Sequence, residues 1–335
     1  MVTNTNAAAP LVDALGRVVD DLRISVTDRC NFRCVYCMPA EGLRWLPREE
    51  VLSFEEITRL AAIFVAAGTR TIRLTGGEPL VRRELPVLVD QLRTLHRDLD
   101  MSLTTNGMLL RRDAAALKAA GLDRVNVSLD SLRADRFERL TRRASLNQVL
   151  DGIEAAREAG LWPIKLNVVV IRGINDDEVL DFARMARETG IHVRFIEYMP
   201  LDADGTWGRD SVVAGDELLE AAEVEFPLRS KAAEHDPAVR YGFADGAPGE
   251  LGFINSVSDP FCSRCNRVRI TADGQLRTCL FSVSETDLRG PLRTGADDST
   301  LASIIREAIW HKEPGHRINE PDFVRPARSM SQIGG

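Results

Sequence analysis

No apolar run in this 335-residue chain approaches the roughly 18 residues that a membrane span needs; Leu60 to Ala67 is the longest candidate. The opening stretch, MVTNTNAAAPLVDALG, lacks a charged n-region and a continuous apolar core. No secretory signal is visible there, and the cytoplasm is the expected location. Basic charge is not in excess either. With 43 Lys and Arg against 50 Asp and Glu, the net charge of -7 disfavours non-specific contact with nucleic acid or an anionic membrane. Lysine is scarce: Lys118, Lys165, Lys231 and Lys312 are the only lysines, and every other cation among the 43 is arginine. Composition bias accounts for the preference, yet a lysine kept inside a strand, as Lys165 is, draws attention. What is present suffices for folding. Hydrophobic residues at 44% and charged residues at 28% are globular values, and the length suits about two domains.

From residue 22 to 198 the pattern alternates strand and helix. Candidate strands are 22–26, 71–75, 101–105, 124–129, 163–170 and 193–198; helical patterns cover 53–67, 84–97, 113–120, 145–159 and 176–188. Ser53 is a candidate N-cap, and Gly68, Gly121, Gly160 and Gly190 are candidate stops. Such alternation implies a parallel sheet with right-handed crossovers. Six units are fewer than the eight of a full barrel, so an open doubly wound sheet and an incomplete barrel both satisfy the pattern.

The strands themselves alternate. Leu22, Ile24 and Val26 oppose Arg23, Ser25 and Thr27; Ile72 and Leu74 oppose Arg73 and Thr75. Val125 and Val127 oppose Asn126 and Ser128, and Ile164, Leu166 and Val168 oppose Lys165 and Asn167. Period-2 geometry places each polar set on one face. With helices covering the apolar face, the polar sets converge on a wet interior; an antiparallel sheet with one face in water would give the same alternation without the helices. An interior holding Arg23, Arg73 and Lys165 needs an anionic guest, because unpaired buried cations are costly.

After Pro200 the rhythm breaks, and the boundary is placed near 205–215, giving domains 1–210 and 211–335. The second part reads as irregular between 210 and 250, with short strands at 251–256, 266–271 and 275–280, a helix near 301–311 and a mobile proline-containing tail.

Six cysteines fall in two groups, Cys30, Cys34, Cys37 and Cys262, Cys265, Cys279. Three and three fit disulfides poorly, and grouped thiols without a secretion signal suggest metal ligation. The first group has the spacing C-x3-C-x2-C directly after the first strand. Iron–sulfur clusters are usually held by four cysteines, so a trio leaves one iron of a cubane open to a small molecule. Zinc prefers C-x2-C pairs with histidines, and no histidine is near.

DLRISVTDRCNFRCVYCMP, with Tyr36 before the third cysteine, resembles the signature of the radical S-adenosylmethionine (SAM) superfamily, and TGGEPL at 75–80 resembles its glycine-rich segment. The resemblance implies that the amino and carboxylate groups of SAM occupy the open iron. The reduced cluster then cleaves SAM to methionine and a 5′-deoxyadenosyl radical, which takes a hydrogen atom from substrate. The implied fold is α/β, an incomplete (β/α)6 TIM-like barrel with a smaller C-terminal iron–sulfur domain.

Cys262-x2-Cys265-x13-Cys279 alone leaves zinc and iron–sulfur open, with His235 and His311 as conceivable fourth zinc ligands. Arg267 and Arg269 share one strand face beside these cysteines, and arginine forks match phosphate and purine edges. From Arg17 to Gly335, through RLTGGEPL, TTNG, NVSLDSL, KLNVVV, GIND, RFIEYMP, FCSRCNRVRI and the terminal GlyGly, the chain is similar to the GTP 3′,8-cyclases of molybdenum cofactor biosynthesis. That similarity implies two [4Fe–4S] clusters and SAM, with Cys30, Cys34 and Cys37 holding the first cluster and Cys262, Cys265 and Cys279 the second. It implies hydrogen abstraction at ribose C3′ of GTP, attack on guanine C8, and 3′,8-cyclo-7,8-dihydro-GTP as product. GTP contacts would be Arg23, Arg73, Thr104, Lys165, Arg267 and Arg269, with Arg194 a further candidate; SAM contacts would be Tyr36, Gly77, Ser128 and Met199. Gly334 and Gly335 would enter the site and assist the radical step. Implied partners are a reductant protein and the cyclic pyranopterin monophosphate synthase that takes the product, with the chain a monomer or homodimer. Competing readings are a peptide-modifying radical SAM enzyme with an auxiliary cluster, a two-cluster redox protein without turnover, and a zinc-stapled binding protein.

Overall fold

A computed structural model describes residues 9–202, 204–232 and 236–334. Its framework begins with β1 (Asp21–Ser25), α1 (Phe54–Ala66), β2 (Thr71–Thr75), α2 (Leu85–Leu95), β3 (Asp100–Thr105), α3 (Leu110–Ala119) and β4 (Arg124–Ser128). It continues with α4 (Ala134–Thr141), α5 (Leu146–Glu158), β5 (Lys165–Val170), α6 (Val179–Thr189) and β6 (His192–Glu197). The remaining elements are α7 (Gly215–Glu223), β7 (Leu228–Lys231), β8 (Val239–Phe243), β9 (Glu250–Ile254), β10 (Arg267–Ile270), β11 (Gln275–Arg277), β12 (Thr286–Asp287), α8 (Arg289–Arg293), α9 (Asp298–Trp310) and α10 (Met330–Ile333).

One 12-stranded sheet has the order β12-β11-β10-β1-β2-β3-β4-β5-β6-β9-β8-β7. The run from β10 to β9 is parallel, with antiparallel strands at both ends. The order has two ends, so the curved sheet is an incomplete barrel. The C-terminal strands extend it on both flanks, β9 beside β6 and β10 beside β1. The second cysteine group is thereby carried next to the first strand, opposite in chain order but adjacent in space.

Local chemistry explains the elements. Ser53 caps α1 through a capping box: its Oγ accepts from the Glu56 amide at 3.2 Å, and the Glu56 carboxylate takes the Ser53 N–H at 2.7 Å. Gly190 ends α6 with a left-handed φ of 79° that a side chain would resist. Leu22, Ile24, Ile72, Leu74, Val125, Val127, Leu166 and Val168 are all buried, under helix residues such as Phe64, Leu88, Leu92, Leu117 and Phe182. Phe195 on β6 stacks on Phe253 of β9, ring centres 5.6 Å apart, and meets Phe182 of α6 edge-on, which ties the C-terminal strands to the barrel core.

Four expectations are corrected. The helix α4 is absent from that reading, because its eight residues make little more than two turns and no capping side chain marks its start at Arg133. Residues 210–250 are not irregular: α7, β7 and β8 lie there, and exposed β7 (LRSK) carries no alternation to reveal it. The third C-terminal strand stops at Arg277, leaving Cys279 in the following loop. The tail is seated rather than mobile. Ser329 and Gln332 form a capping box on α10, and Ile333 is fully buried.

Candidate functional site between two cysteine trios

Cys30, Cys34 and Cys37 are free thiols in the loop that leaves the C-terminal end of β1. The loop is laced by arginines. Arg33 Nη1 donates to the Cys30 and Phe32 carbonyls at 2.8 and 2.7 Å, Arg142 Nη1 to those of Arg33 and Met38, and Arg143 Nε to that of Asn31. Below it lies α4, whose Phe137 meets Phe32 edge-on and whose Leu140 and Thr141 carbonyls take the Val35 and Arg33 amides. The unpredicted helix is therefore the shelf of the cysteine loop.

Burial pushes the Cys30 thiol up to about 12 and Cys37 up to about 11, and Cys34 also rises through burial, Asp130 and the other two thiols. Three such thiols stay protonated until a metal takes the proton's place. Among the described residues no three His, Cys, Asp or Glu side chains converge as one ion would require. Cys34 feels the charge of both Cys30 and Cys37, so the three sulfurs lie in one buried neighbourhood, and since a cubane takes its thiolates on separate irons this donor set fits a cluster.

The glycine pair of TGGEPL is forced by packing. A Cβ on Gly77 would lie 2.5 Å from the Arg29 and Asp28 carbonyl oxygens, and one on Gly76 would lie 2.5 Å from that of Thr27. Gly77 N–H already donates to Thr27 O at 2.8 Å. Next to it, buried Glu78 accepts from the Leu80 and Asn106 amides and from Thr105 Oγ1, and burial raises its carboxyl to about 7. Asn106 Nδ2 then reaches Asn31 Oδ1 at 2.7 Å, closing a path from β2 and β3 back to the cysteine loop. Tyr36 donates its hydroxyl to Asp130 Oδ2 at 2.5 Å, while Asp130 Oδ1 takes the Val169 amide; burial lifts Asp130 to about 6. Ser128 is half-buried at the end of β4, two residues before this carboxylate.

The inner face carries the expected cations. Arg269, Arg23 and Arg73 are register neighbours on β10, β1 and β2, followed by Ser102 on β3; one step along, Thr104, Asn126 and Lys165 are neighbours on β3, β4 and β5. Arg23 Nε, Arg124 Nε and Asn126 Nδ2 are buried without a hydrogen-bond partner. Burial, then Arg73 and Arg269, holds Arg23 well below the ordinary guanidinium range. Burial, then Arg194 and Arg124, brings Lys165 down to about 7, and burial with Arg267 brings Arg269 to about 10. Cations that suppress one another this way mark the seat of a polyanion. Arg194 differs: it pairs with Asp236 at 2.5 Å, so its charge is already met.

Cys262 and Cys265 flank the short turn before β10, and Cys279 follows β11. Burial raises Cys262 and Cys279, whereas Arg267 and Lys312 outweigh burial at Cys265 and lower it. Arg267 lies over the Phe261 ring at 4.5 Å. Arg269 Nη1 donates to the Gly334 carbonyl at 2.9 Å, and a Cβ on Gly334 would meet Thr75 Oγ1 at 2.5 Å. Met199 belongs to the apolar cluster that receives Ile333. Gly335 and His235 lie outside the described residues. His311 is exposed and bonded to Glu307 at 3.0 Å, so it is not a ligand of the second trio.

The structure thus brings the first trio's loop, the cations and the second trio's strand to one face. Sequence reasoning missed Glu78, Arg17 and the role of Lys312. Arg17 is buried, pairs with Asp13 and donates to the Cys262 carbonyl at 2.7 Å.

Comparison with known proteins agrees with this geometry. Residues 24–186 match the radical SAM superfamily model, and residues 191–318 match the model described as Molybdenum Cofactor Synthesis C. A GTP 3′,8-cyclase of Streptomyces coelicolor is 51% identical over 97% of this chain and 96% of its own length. One from Mycolicibacterium smegmatis is 50% identical over 98% and 93%. Among solved structures, Streptococcus suis SuiB superposes with a TM-score of 0.62 at 14% identity, over 92% of this chain and 76% of that one. The enzyme anSMEcpe with bound AdoMet gives 0.58 at 14% identity, over 89% and 82%; both likenesses concern the fold.

Proposed function

The chain belongs to the GTP 3′,8-cyclase family, and from that premise we propose how its residues divide the work. It is a radical SAM enzyme with two [4Fe–4S] clusters, and it carries out the first step of molybdenum cofactor biosynthesis, from GTP to 3′,8-cyclo-7,8-dihydro-GTP. When bound, the first cluster with SAM supplies the hydrogen abstraction at ribose C3′ that lets this carbon bond to guanine C8.

The protein's own part is to hold, orient and shield. Cys30, Cys34 and Cys37 hold the first cluster on the shelf of α4, and Cys262, Cys265 and Cys279 hold the second beside β10. Arg23, Arg73, Lys165 and Arg269 neutralise the triphosphate, with Arg267 and Thr104 completing the GTP contacts. Tyr36, Gly77, Ser128 and Met199 line the SAM side; Asp130 fixes the Tyr36 ring, and the carbonyl of Gly77 stands in the segment whose N–H is spent on Thr27. Gly334 places its carbonyl on Arg269, and Gly334 with Gly335 assists the radical step. Arg194 serves GTP only if it leaves Asp236.

The observation that carries the assignment is the buried, unpartnered Arg23 Nε in a row of arginines between the two cysteine loops. Such a group costs stability until its anion arrives. Arg23→Met therefore raises the melting temperature of the ligand-free protein while weakening GTP binding about 10-fold or more, the worth of a charge-assisted bond. Uncoupled SAM cleavage persists in that variant. A lowered melting temperature with unchanged GTP affinity would remove Arg23 from the site. Division near residue 210, a reductant protein, hand-over of product to cyclic pyranopterin monophosphate synthase, a cytoplasmic location and a monomer or homodimer complete the proposal. The two family models meet between residues 186 and 191, earlier than this division, and among the described residues no helix is long and apolar enough to cross a membrane.

A further inference from the structure

One of the four lysines is unexplained by GTP. Lys312 follows α9, far from the triphosphate cations in sequence, and only 5% of it is exposed. Its Nζ donates to the Arg267 carbonyl at 3.0 Å and to the Thr278 carbonyl. Those acceptors stand two residues after Cys265 and one before Cys279. The adjoining carboxylate is turned elsewhere: Glu313 accepts from Thr278 Oγ1 at 2.6 Å and from Ser282 Oγ, and Ser282 Oγ in turn takes the Cys279 amide. Arg17 ties the same segment to the third cysteine, donating to the Glu313 carbonyl and the Cys262 carbonyl, both at 2.7 Å. Residues 312–314 are thus the hub from which all three loops of the second trio are held. Among the described residues Lys312 makes no ion pair, so its buried ammonium is met by carbonyl dipoles alone. The two carbonyls place its charge beside the backbone of Cys265 and Cys279, two members of the second trio.

We propose that Lys312 is the counter-cation of the iron–sulfur cluster held by Cys262, Cys265 and Cys279, a positioning residue that sets that cluster's reduction potential. The inference rests on the second trio holding a cluster. A cluster with three thiolates is negative, and reduction adds one more electron. A buried cation beside it stabilises the reduced form and raises the potential, and the Glu313 carboxylate acts in the opposite sense.

The test is an anaerobic redox titration of the holoenzyme without GTP, read by electron paramagnetic resonance. The second cluster's signal is identified as the one that survives C30A/C34A/C37A. Lys312→Met should raise the ratio of oxidised to reduced second cluster about 10-fold at a fixed poise, about 59 mV toward lower potential. Glu313→Gln should move it the other way, and Lys312→Arg should return it toward the parent. An unchanged potential in Lys312→Met, or shifts of the same sign in Lys312→Met and Glu313→Gln, overturns the proposal. If Lys312→Met fails to retain the second cluster, recovery of iron per chain by Lys312→Arg supports it, and no recovery overturns it. A parent enzyme without a second signal would instead refute the reading of the second trio itself.

Discussion

Lys165 is the interior cation whose charge is most easily lost. Burial, Arg194 and Arg124 bring it to about 7, so the ligand-free lysine is charged below that pH and neutral above it. A triphosphate restores its pKa toward the ordinary value, and binding above pH 7 therefore takes up a proton. GTP affinity should fall as pH rises from about 7, by at most 10-fold per unit, and Lys165→Arg should flatten that dependence because a guanidinium stays charged. Calorimetric GTP titrations from pH 6 to 9 in parent and variant check it; parallel profiles would exclude Lys165 from the phosphate site. That Arg23, Arg73 and Lys165 point to a common face was legible because strand periodicity assigns a face to each residue from local sequence alone, whereas Thr104 came with the family resemblance. Lys312 and Arg17 were not legible. Their partners are the carbonyls of cysteine loops far away in the chain, which no local pattern records.

Among the elements, α4 has the largest functional weight for its length. It is short and starts without a capping side chain, yet Phe137 props Phe32 in the first cysteine loop and the helix's last carbonyls take that loop's amides. Phe137→Ala should cost about 3–5 kcal/mol of stability, as for other buried phenylalanines. The first cluster should be lost to a chelator faster than the second, followed by the decay of iron per chain. Equal rates would mean that α4 is only core. The other βα units were readable because helices of 10–13 residues with an apolar stripe separate their strands, and α1 adds a capped start at Ser53. Strand β7 was not readable, since it is an exposed edge whose residues answer to water rather than to a core.

For the whole molecule, the sequence pattern implied a partial barrel and two metal-binding groups but not how they meet. That is settled by β10 pairing in parallel with β1, a contact across nearly the full chain. The pairing sets Arg269 beside Arg23 and brings the tail over the strand ends, where Arg328 grips Asp273 with both nitrogens at 2.8 Å and reaches Glu285 at 2.8 Å. Removing Gly334 and Gly335 should abolish cyclisation while leaving both clusters and SAM affinity in place, measured as product per chain against iron per chain. Full turnover in the truncated enzyme would leave the tail a structural end.

The central claim is that two separate trios each hold a cubane around one interior. It is tested most directly by iron and acid-labile sulfide per chain after anaerobic reconstitution of the parent, C30A/C34A/C37A and C262A/C265A/C279A. About eight irons are expected in the parent and about four in each variant. A variant that keeps the parent's iron, or a parent that binds zinc in place of iron at the second trio, would contradict it.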